Sequence, residues 1–231
     1  VVLCTDHGHY LGDNGGAFGK PSLPIYNTLG HIPMIVSWPG AAPGHCSALT
    51  TTVDVHATIA DVFGVETAHR THGVSLKPLF DGTQASVRDW VLQGYFGREV
   101  NVIDAEGKYI RTAPDGPYPL SVWSNRWSTM PVHALPKFGL PKPDNDAYLD
   151  KMPGSDIPVL RQPFTAANHG GHPFMGMRSA GERHLLFDAE DQAETADLCG
   201  SDREQHYVEL LRHALDAVDA PAEQAERLAL T

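Results

Sequence analysis

The chain has 231 residues, of which 42% are hydrophobic, and a formal net charge of −11 at pH 7. This length and apolar content suffice for one large domain or two small ones. The acidic balance argues against a nucleic-acid-binding surface, and no apolar run approaches the length of a membrane span. The three cysteines, Cys4, Cys46 and Cys199, have no paired spacing and predict neither a disulfide framework nor a zinc finger.

The chain begins with a short apolar run, residues 1–5, which is typical of a doubly buried parallel strand. A native protein rarely starts in such a strand. We therefore expect a missing N-terminal part before Val1, together with any targeting segment, and the compartment stays open. Asp6 and His7 follow the run directly, at the carboxyl end of the predicted strand, where open α/β sheets form their sites.

The remainder of residues 1–85 alternates between loop, helix and strand. Such alternation predicts an α/β domain. The elements expected after the first strand are a Gly-rich loop over 12–19, a short helix over 22–29, a buried strand over 33–38 and a helix from Asp54 to about Phe63, stopped by Gly64.

Residues 86–231 predict a second domain with a small antiparallel sheet and one long helix. The expected elements are strands over 90–96, 101–111 and 183–188 and a helix over about 202–218, begun by a Ser201–Glu204 capping box.

Residues 112–173 have weak periodicity and predict a long loop that wraps or covers something. Within it, His169 and His172 have ligand-like spacing, but we interpret them as part of a Gly-rich loop. Arg98 and Asn101 are expected near the rim of a site.

The chemistry of the chain is concentrated in residues 5–20. A carboxylate at Asp6 and an imidazole at His7 can bind a divalent cation together. Gly8 lets the backbone turn away from that site, and Lys20 can return across the loop with a positive charge suited to an anionic oxygen. A cation beside a lysine is the usual apparatus for stabilising a transferring sulfuryl or phosphoryl group.

The same segment resembles the motif that opens the second half of sulfatases. Residues 5–20 contain, in order, T-D-H-G, L-G and G-K. An Asp-His-Gly triple alone occurs by chance, so the resemblance depends on the segments that follow it. The first of these, IPMIVSWPG at residues 32–40, is similar to the family's PLIV-x-WPG strand.

Three further segments match the family in the same order. VDVHATIAD at residues 53–61 resembles D-x-x-P-T-L-L-D, although His56 and Ala57 depart from the pattern. GVSLKPLFDG at 73–82 resembles G-x-S-L-x-P-L-L-x-G, and LFD with ETADL at 186–198 resembles L-Y-D-L and E-x-x-N-L. By this resemblance the chain is identified as the C-terminal portion of a sulfatase of the alkaline-phosphatase superfamily.

The resemblance implies an α/β fold. Residues 1–85 would form the C-terminal part of an alkaline-phosphatase-like sandwich with a mostly parallel sheet. Residues 86–231 would form a small antiparallel α+β subdomain with one long C-terminal helix.

The resemblance also implies the roles of the site residues. Asp6 and His7 would ligate a divalent cation, and Lys20 would act in catalysis by binding the sulfate and leaving-group oxygens. His9, two residues past the ligand, could face the substrate, although the motif does not assign it. Calcium is the usual ion of the family, but the imidazole also suits manganese or zinc.

The implied function is hydrolysis of a small-molecule or carbohydrate sulfate ester by a formylglycine nucleophile. One alternative keeps the superfamily and changes the substrate to a phosphate or phosphonate ester. A second alternative is a non-catalytic binding domain. The formylglycine arises from Cys or Ser in a C-x-P-x-R motif, and no cysteine of this chain is followed by that pattern. We expect it in the missing N-terminal part.

The 231-residue chain alone is therefore expected to show no sulfatase activity, because it holds neither the nucleophile nor the family's paired aspartates. A turnover assay of the isolated chain with an aryl sulfate checks this expectation. Metal-dependent hydrolysis by the isolated chain would refute it.

Overall fold

A computed structural model describes residues 1–20, 23–125, 143–165, 167 and 183–231. The chain is a mixed α/β structure of four small sheets and six short or medium helices within these ranges. The strands are β1 (Val2–Cys4), β2 (Tyr10–Leu11), β3 (Phe18–Gly19), β4 (Met34–Val36), β5 (Val91–Gly94), β6 (Val100–Ile103), β7 (Gly107–Arg111), β8 (Leu120–Ser124), β9 (Tyr148–Lys151), β10 (Pro158–Phe164) and β11 (Leu185–Asp188). The helices are α1 (Asp13–Gly16), α2 (Asn27–Gly30), α3 (Thr52–Val62), α4 (Lys77–Phe80), α5 (Arg203–Ala217) and α6 (Ala222–Arg227).

The first two predicted strands exist but are neither parallel nor doubly buried. β1 and β4 form a two-stranded antiparallel ribbon, with Leu3 opposite Ile35. Both of these side chains are more than 60% exposed. Among the described residues every strand pairing is antiparallel, so the expected mostly parallel sheet is not present there. The apolar composition of the two segments indicated burial, but among the described residues both strands expose large apolar side chains.

Helix α3 is attached to the segment before α4 through the carboxylate of Asp54. Asp54 is fully buried; Oδ2 accepts the Thr51 amide at 2.8 Å and Oδ1 accepts the Val74 amide at 2.9 Å. Arg88 also donates to Oδ1. Gly73 lies so close to α3 that an added Cβ would sit 2.2 Å from the Val53 carbonyl oxygen. Two of the ordered sequence motifs are thus one packed unit.

The antiparallel sheet expected in the second half is confirmed. It has four strands in the order β11-β7-β6-β5, and α5 packs across it. The core between them contains the fully buried side chains of Val102, Tyr109, Leu186, Leu211 and Ala214. Helix α5 begins and ends within one residue of the predicted bounds, because its apolar stripe has the 3.6-residue period of a helix.

The expectation of a loop over residues 112–173 is wrong for the described part. Strands β8, β9 and β10 lie in this region and form a second antiparallel sheet in the order β8-β10-β9. Their apolar alternation is weak because the sheet is held largely by polar contacts. Arg161, for example, binds Asp150 at 3.0 Å and Glu223 at 2.7 Å and stacks on Trp123.

The C-terminal segment packs onto the core. It forms α6, and Leu228 and Leu230 after it are buried in the core. His169 and His172 lie outside the described residues, as does Ser22. The helix predicted over 22–29 is wrong for residues 23–26, which are not helical, and α2 begins only at Asn27. The division between domains at residue 85 stays a prediction. No helix in the described ranges is long and apolar enough to cross a membrane.

Replacing Leu211 by Ala tests the core under α5. Leu211 is fully buried, so Leu211→Ala should lower the free energy of unfolding by about 2–5 kcal/mol. The measurement is urea denaturation, with Leu149→Ala on the exposed face of β9 as the control. Equal effects of the two substitutions would contradict the packing described here.

Candidate functional site

The three side chains predicted to share a site lie together in the structure. Asp6 and His7 connect β1 to β2, and Lys20 follows β3. Gly19 has a φ of 78°, a left-handed conformation that glycine adopts readily, and turns the chain before Lys20. Lys20 Nζ lies 3.0 Å from His7 Nε2, and Asp6 Oδ2 lies 3.3 Å from the same nitrogen.

The hydrogen bonds of His7 define which of its nitrogens can bind a cation. Nδ1 lies 2.7 Å from the carbonyl oxygen of Gly8. Because a carbonyl only accepts, Nδ1 must carry the proton and the neutral ring keeps a lone pair on Nε2. Metal-binding histidines commonly donate their other ring N–H to a backbone carbonyl in this way.

The donor set fits a divalent cation but does not complete its coordination. One imidazole nitrogen and one carboxylate oxygen converge, and both side chains are reachable from solvent, His7 at 39% exposure and Asp6 at 86%. Zinc takes about four ligands and calcium about six to eight. Among the described residues, no group of three or more His, Cys, Asp or Glu side chains could hold a metal. The described chain thus offers two ligands.

His9 is exposed between Gly8 and β2. The next residue, Tyr10, points into the core, where its hydroxyl donates to the Pro24 carbonyl at 2.9 Å and burial raises the pKa of its phenol to about 12. Since neighbouring side chains of an extended segment point to opposite faces, His9 lies on the outward face. Its contact with a substrate stays a prediction.

Gly8 connects the site to helix α2 behind it. The Gly8 amide donates to the Leu29 carbonyl at 2.8 Å. A Cβ at Gly8 would lie 2.0 Å from the Thr28 carbonyl oxygen, so only glycine fits at this approach. The position of His7 therefore depends on the position of α2.

Helix α2 is in turn held by a buried ion pair. The carboxylate of Glu194 accepts the amide of Asn27, the first residue of α2, and lies 2.7 Å from the Lys108 ammonium. Their side chains are only 2% and 6% exposed. Burial lowers the pKa of Lys108, and the negative charge of Glu194 opposes that shift. The attraction between the two groups offsets part of the cost of removing them from water.

The segment between Lys20 and α2 is fixed by a second set of buried groups. Glu99 accepts the Ile25 amide at 3.2 Å, and Asn101 donates to the Ile25 carbonyl at 3.3 Å. Arg98 donates to the Leu23 carbonyl. The prediction that Arg98 and Asn101 lie at the site rim is therefore wrong. Both are at most 3% exposed, and they act on the backbone behind the site.

Sequence reasoning assigned no role to Glu194 or Lys108. The signal for Glu194 was present, because it is the first residue of the segment resembling E-x-x-N-L. Nothing local marks Lys108, which lies in β7 and meets Glu194 only in the folded chain.

Curated sulfatases match about half of the chain. It is 29% identical to the choline-sulfatase of Rhizobium meliloti (strain 1021) over 121 residues, covering 50% of this chain and 23% of that protein. It is 32% identical to the N-acetylglucosamine-6-O-sulfatase of Bacteroides thetaiotaomicron over 98 residues, covering 42% and 17%. It is 29% identical to the arylsulfatase K of Homo sapiens over 109 residues, covering 44% and 20%.

Over about half of its length the chain is thus similar to sulfatases. It spans less than a quarter of the length of these sulfatases. No family model matches the chain. The sulfatase relationship agrees with the ordered motifs, two of which the structure brings into contact around Asp54.

Removing the Glu194 carboxylate tests how α2 is supported. Glu194→Ala leaves the Lys108 ammonium buried without a partner, so it should lower the free energy of unfolding by about 3–5 kcal/mol. Urea denaturation measures the loss. The double variant Lys108→Met with Glu194→Leu should recover most of it, because neither charge is then buried. A small effect of Glu194→Ala, comparable with Asp156→Ala in an exposed ion pair, would contradict this assignment.

Proposed function

We propose that the protein carrying this chain hydrolyses sulfuric esters, and that Asp6, His7 and Lys20 are this chain's contribution to its active site. The observation that supports the proposal most is the convergence of these three side chains. His7 Nε2 lies 3.0 Å from Lys20 Nζ and 3.3 Å from Asp6 Oδ2. The relatives are named as sulfatases, and no finding favours a phosphate ester hydrolase or a binding domain.

In this proposal Asp6 and His7 are ligands of a divalent cation. The bound cation would supply Lewis acidity toward a sulfuryl oxygen. Calcium is the first choice, while the imidazole nitrogen also fits manganese or zinc. The Nδ1–H bond to Gly8 holds the ring in the tautomer that a cation requires.

Lys20 is the catalytic and substrate-binding residue of this proposal. The lone pair of His7 Nε2 can bind either the Lys20 ammonium or a cation, but not both. In the ligated site Lys20 is therefore free to turn its ammonium toward the sulfate. There it neutralises charge that develops on the sulfuryl and leaving-group oxygens. His9, on the same outward side of the chain, is proposed as a second contact to the substrate.

The remaining parts of the proposal concern the whole protein. Its nucleophile is a formylglycine, its remaining metal ligands come from other segments, and its substrate is a small-molecule or carbohydrate sulfate ester. Its fold is the alkaline-phosphatase-like sandwich with a mostly parallel sheet, in which further strands cover the exposed ribbon of β1 and β4. The order of the sequence motifs supports this fold.

Manganese binding by the full-length protein tests the proposed ligands. Asp6→Ala or His7→Ala should weaken Mn²⁺ binding at least about tenfold, because each removes a ligand, and titration followed by electron paramagnetic resonance measures it. His206→Ala is the matched control, because His206 also lies beside a carboxylate, 3.4 Å from Asp104. Unchanged Mn²⁺ affinity in Asp6→Ala would contradict the metal assignment.

Lys20→Ala tests the role of the ammonium separately. It should leave Mn²⁺ binding intact or tighter, since it frees His7 Nε2, while kcat for an aryl sulfate falls about 10²- to 10³-fold. Steady-state kinetics with Lys77→Ala, an exposed lysine paired to Asp81, gives the control. A Lys20→Ala enzyme with normal kcat would overturn this role.

A further inference from the structure

The turn that carries Glu194 holds this residue in an uncommon backbone conformation. Glu194 has a φ of 52°, in the left-handed region that residues with a side chain seldom adopt. Asp191 closes the turn, because its carbonyl accepts the Glu194 amide at 2.9 Å and its Oδ2 accepts the amides of Thr195 and Ala196, each at 2.8 Å. Such conformations persist only where the surroundings impose them, and they cluster at functional sites. The turn thus fixes the direction in which Glu194 projects.

The two carboxylate oxygens of Glu194 have different partners. Oε2 accepts the amide of Asn27, and Oε1 lies 2.7 Å from the Lys108 ammonium. The ion pair offsets part of the cost of burying the carboxylate, whereas the hydrogen bond fixes the first residue of α2. One side chain therefore makes two contacts whose effects can be separated by mutation.

Helix α2 depends on contacts at its two ends, because it is a single turn of four residues. Helices this short are not stable on their own in water. Gln93 in β5 holds the far end, where its Nε2 donates to the Gly30 carbonyl at 3.0 Å. Glu194 holds the near end through Asn27. Without the Asn27 contact, the turn is free to pivot about Gly30.

The near end of α2 is also the part that meets the candidate site. The Thr28 carbonyl oxygen, next to Asn27, packs directly against Gly8. The Gly8 amide donates to the Leu29 carbonyl at 2.8 Å, and the Gly8 carbonyl oxygen lies 2.7 Å from His7 Nδ1. Gly8 thus joins α2 on one side to the His7 ring on the other. A shift of Thr28 would displace Gly8 and change the direction of His7 Nε2.

We propose that Glu194 is a positioning residue for metal binding, and that its hydrogen bond to the Asn27 amide aims His7 Nε2 at the cation. This inference rests on the proposed function, because His7 is a metal ligand only in that proposal. The contacts that carry it are internal. Glu194 and Lys108 are buried by residues of this chain, and further segments of the protein can only bury them more.

Two double variants of the full-length protein separate the hydrogen bond from the ion pair. Lys108→Met with Glu194→Gln removes both charges and keeps a side-chain oxygen for the Asn27 amide. Lys108→Met with Glu194→Leu removes the charges and the oxygen. Each variant leaves a buried N–H group without its partner, the glutamine amide in the first and the Asn27 amide in the second. Urea denaturation should therefore give the two variants similar stabilities.

The affinity for Mn²⁺, titrated by electron paramagnetic resonance, should differ between the two variants. The Glu194→Gln double variant should bind Mn²⁺ as wild type does, and the Glu194→Leu double variant about tenfold more weakly, because the ligand is no longer held in place. Leu211→Ala is the control for lost stability alone, since it disturbs the core under α5 and should leave Mn²⁺ affinity unchanged. Equal Mn²⁺ affinities of the two double variants would overturn the inference. A tenfold loss in Leu211→Ala would overturn it as well.

Hydrogen exchange at the Gly8 amide, followed by mass spectrometry, distinguishes failure of this inference from failure of the proposed function. The readout needs neither metal nor turnover. If Asp6→Ala leaves Mn²⁺ affinity unchanged but Gly8 exchanges faster in the Glu194→Leu than in the Glu194→Gln double variant, the ligand assignment is wrong and Glu194 still positions Gly8. If Asp6→Ala loses Mn²⁺ while the two double variants agree in Mn²⁺ affinity and in Gly8 exchange, the proposed function stands and Glu194 positions nothing in the site.

Discussion

The carboxylate of Glu194 binds the amide of Asn27 and the ammonium of Lys108 where almost no water reaches them. Through this contact the four-stranded sheet holds helix α2. Helix α2 then receives Gly8, and Gly8 fixes the ring of His7 through its carbonyl. The candidate site lies on short strands and loops with little core of their own, so its geometry depends on a buried charge pair from the other half of the chain. The attraction between the lysine and the glutamate offsets the desolvation cost of burying them in the interior.

The proximity of Asp6, His7 and Lys20 could be predicted from the sequence because it is local, while their role in a site stays a prediction. Asp6 and His7 are adjacent in the sequence, and a glycine-rich loop separates them from Lys20. This spacing was enough to predict that the three side chains lie close together, as they do in the structure. The supporting residues could not be predicted in the same way. Lys108 and Glu194 are 86 positions apart, and Arg98 and Asn101 bind backbone groups of a segment more than 70 residues earlier. Contacts of that kind exist only in the folded chain, which is why Arg98 and Asn101 were expected at the rim.

The secondary structure shows the same difference between features that the local sequence predicts and features that depend on distant contacts. Helix α5 and strands β5 and β11 were predicted and are confirmed, whereas the single strand predicted over residues 101–111 is two strands, β6 and β7. Strands β8, β9 and β10 were missed because arginine and carboxylate contacts replace the apolar alternation by which strands are recognised. For β1 the apolar composition indicated burial, but composition gives neither the direction of a partner strand nor whether the covering layer belongs to the same segment.

The central proposal is that His7 Nε2, which lies 3.0 Å from Lys20 Nζ, would bind a divalent cation in place of the Lys20 ammonium. Crystals of the full-length protein grown with Mn²⁺ and measured at the manganese absorption edge test it directly. We expect an anomalous peak about 2.0–2.3 Å from His7 Nε2 and from an Asp6 carboxylate oxygen, with Lys20 Nζ moved away from the ring. Manganese bound elsewhere, with Lys20 Nζ still in contact with His7 Nε2, would contradict it.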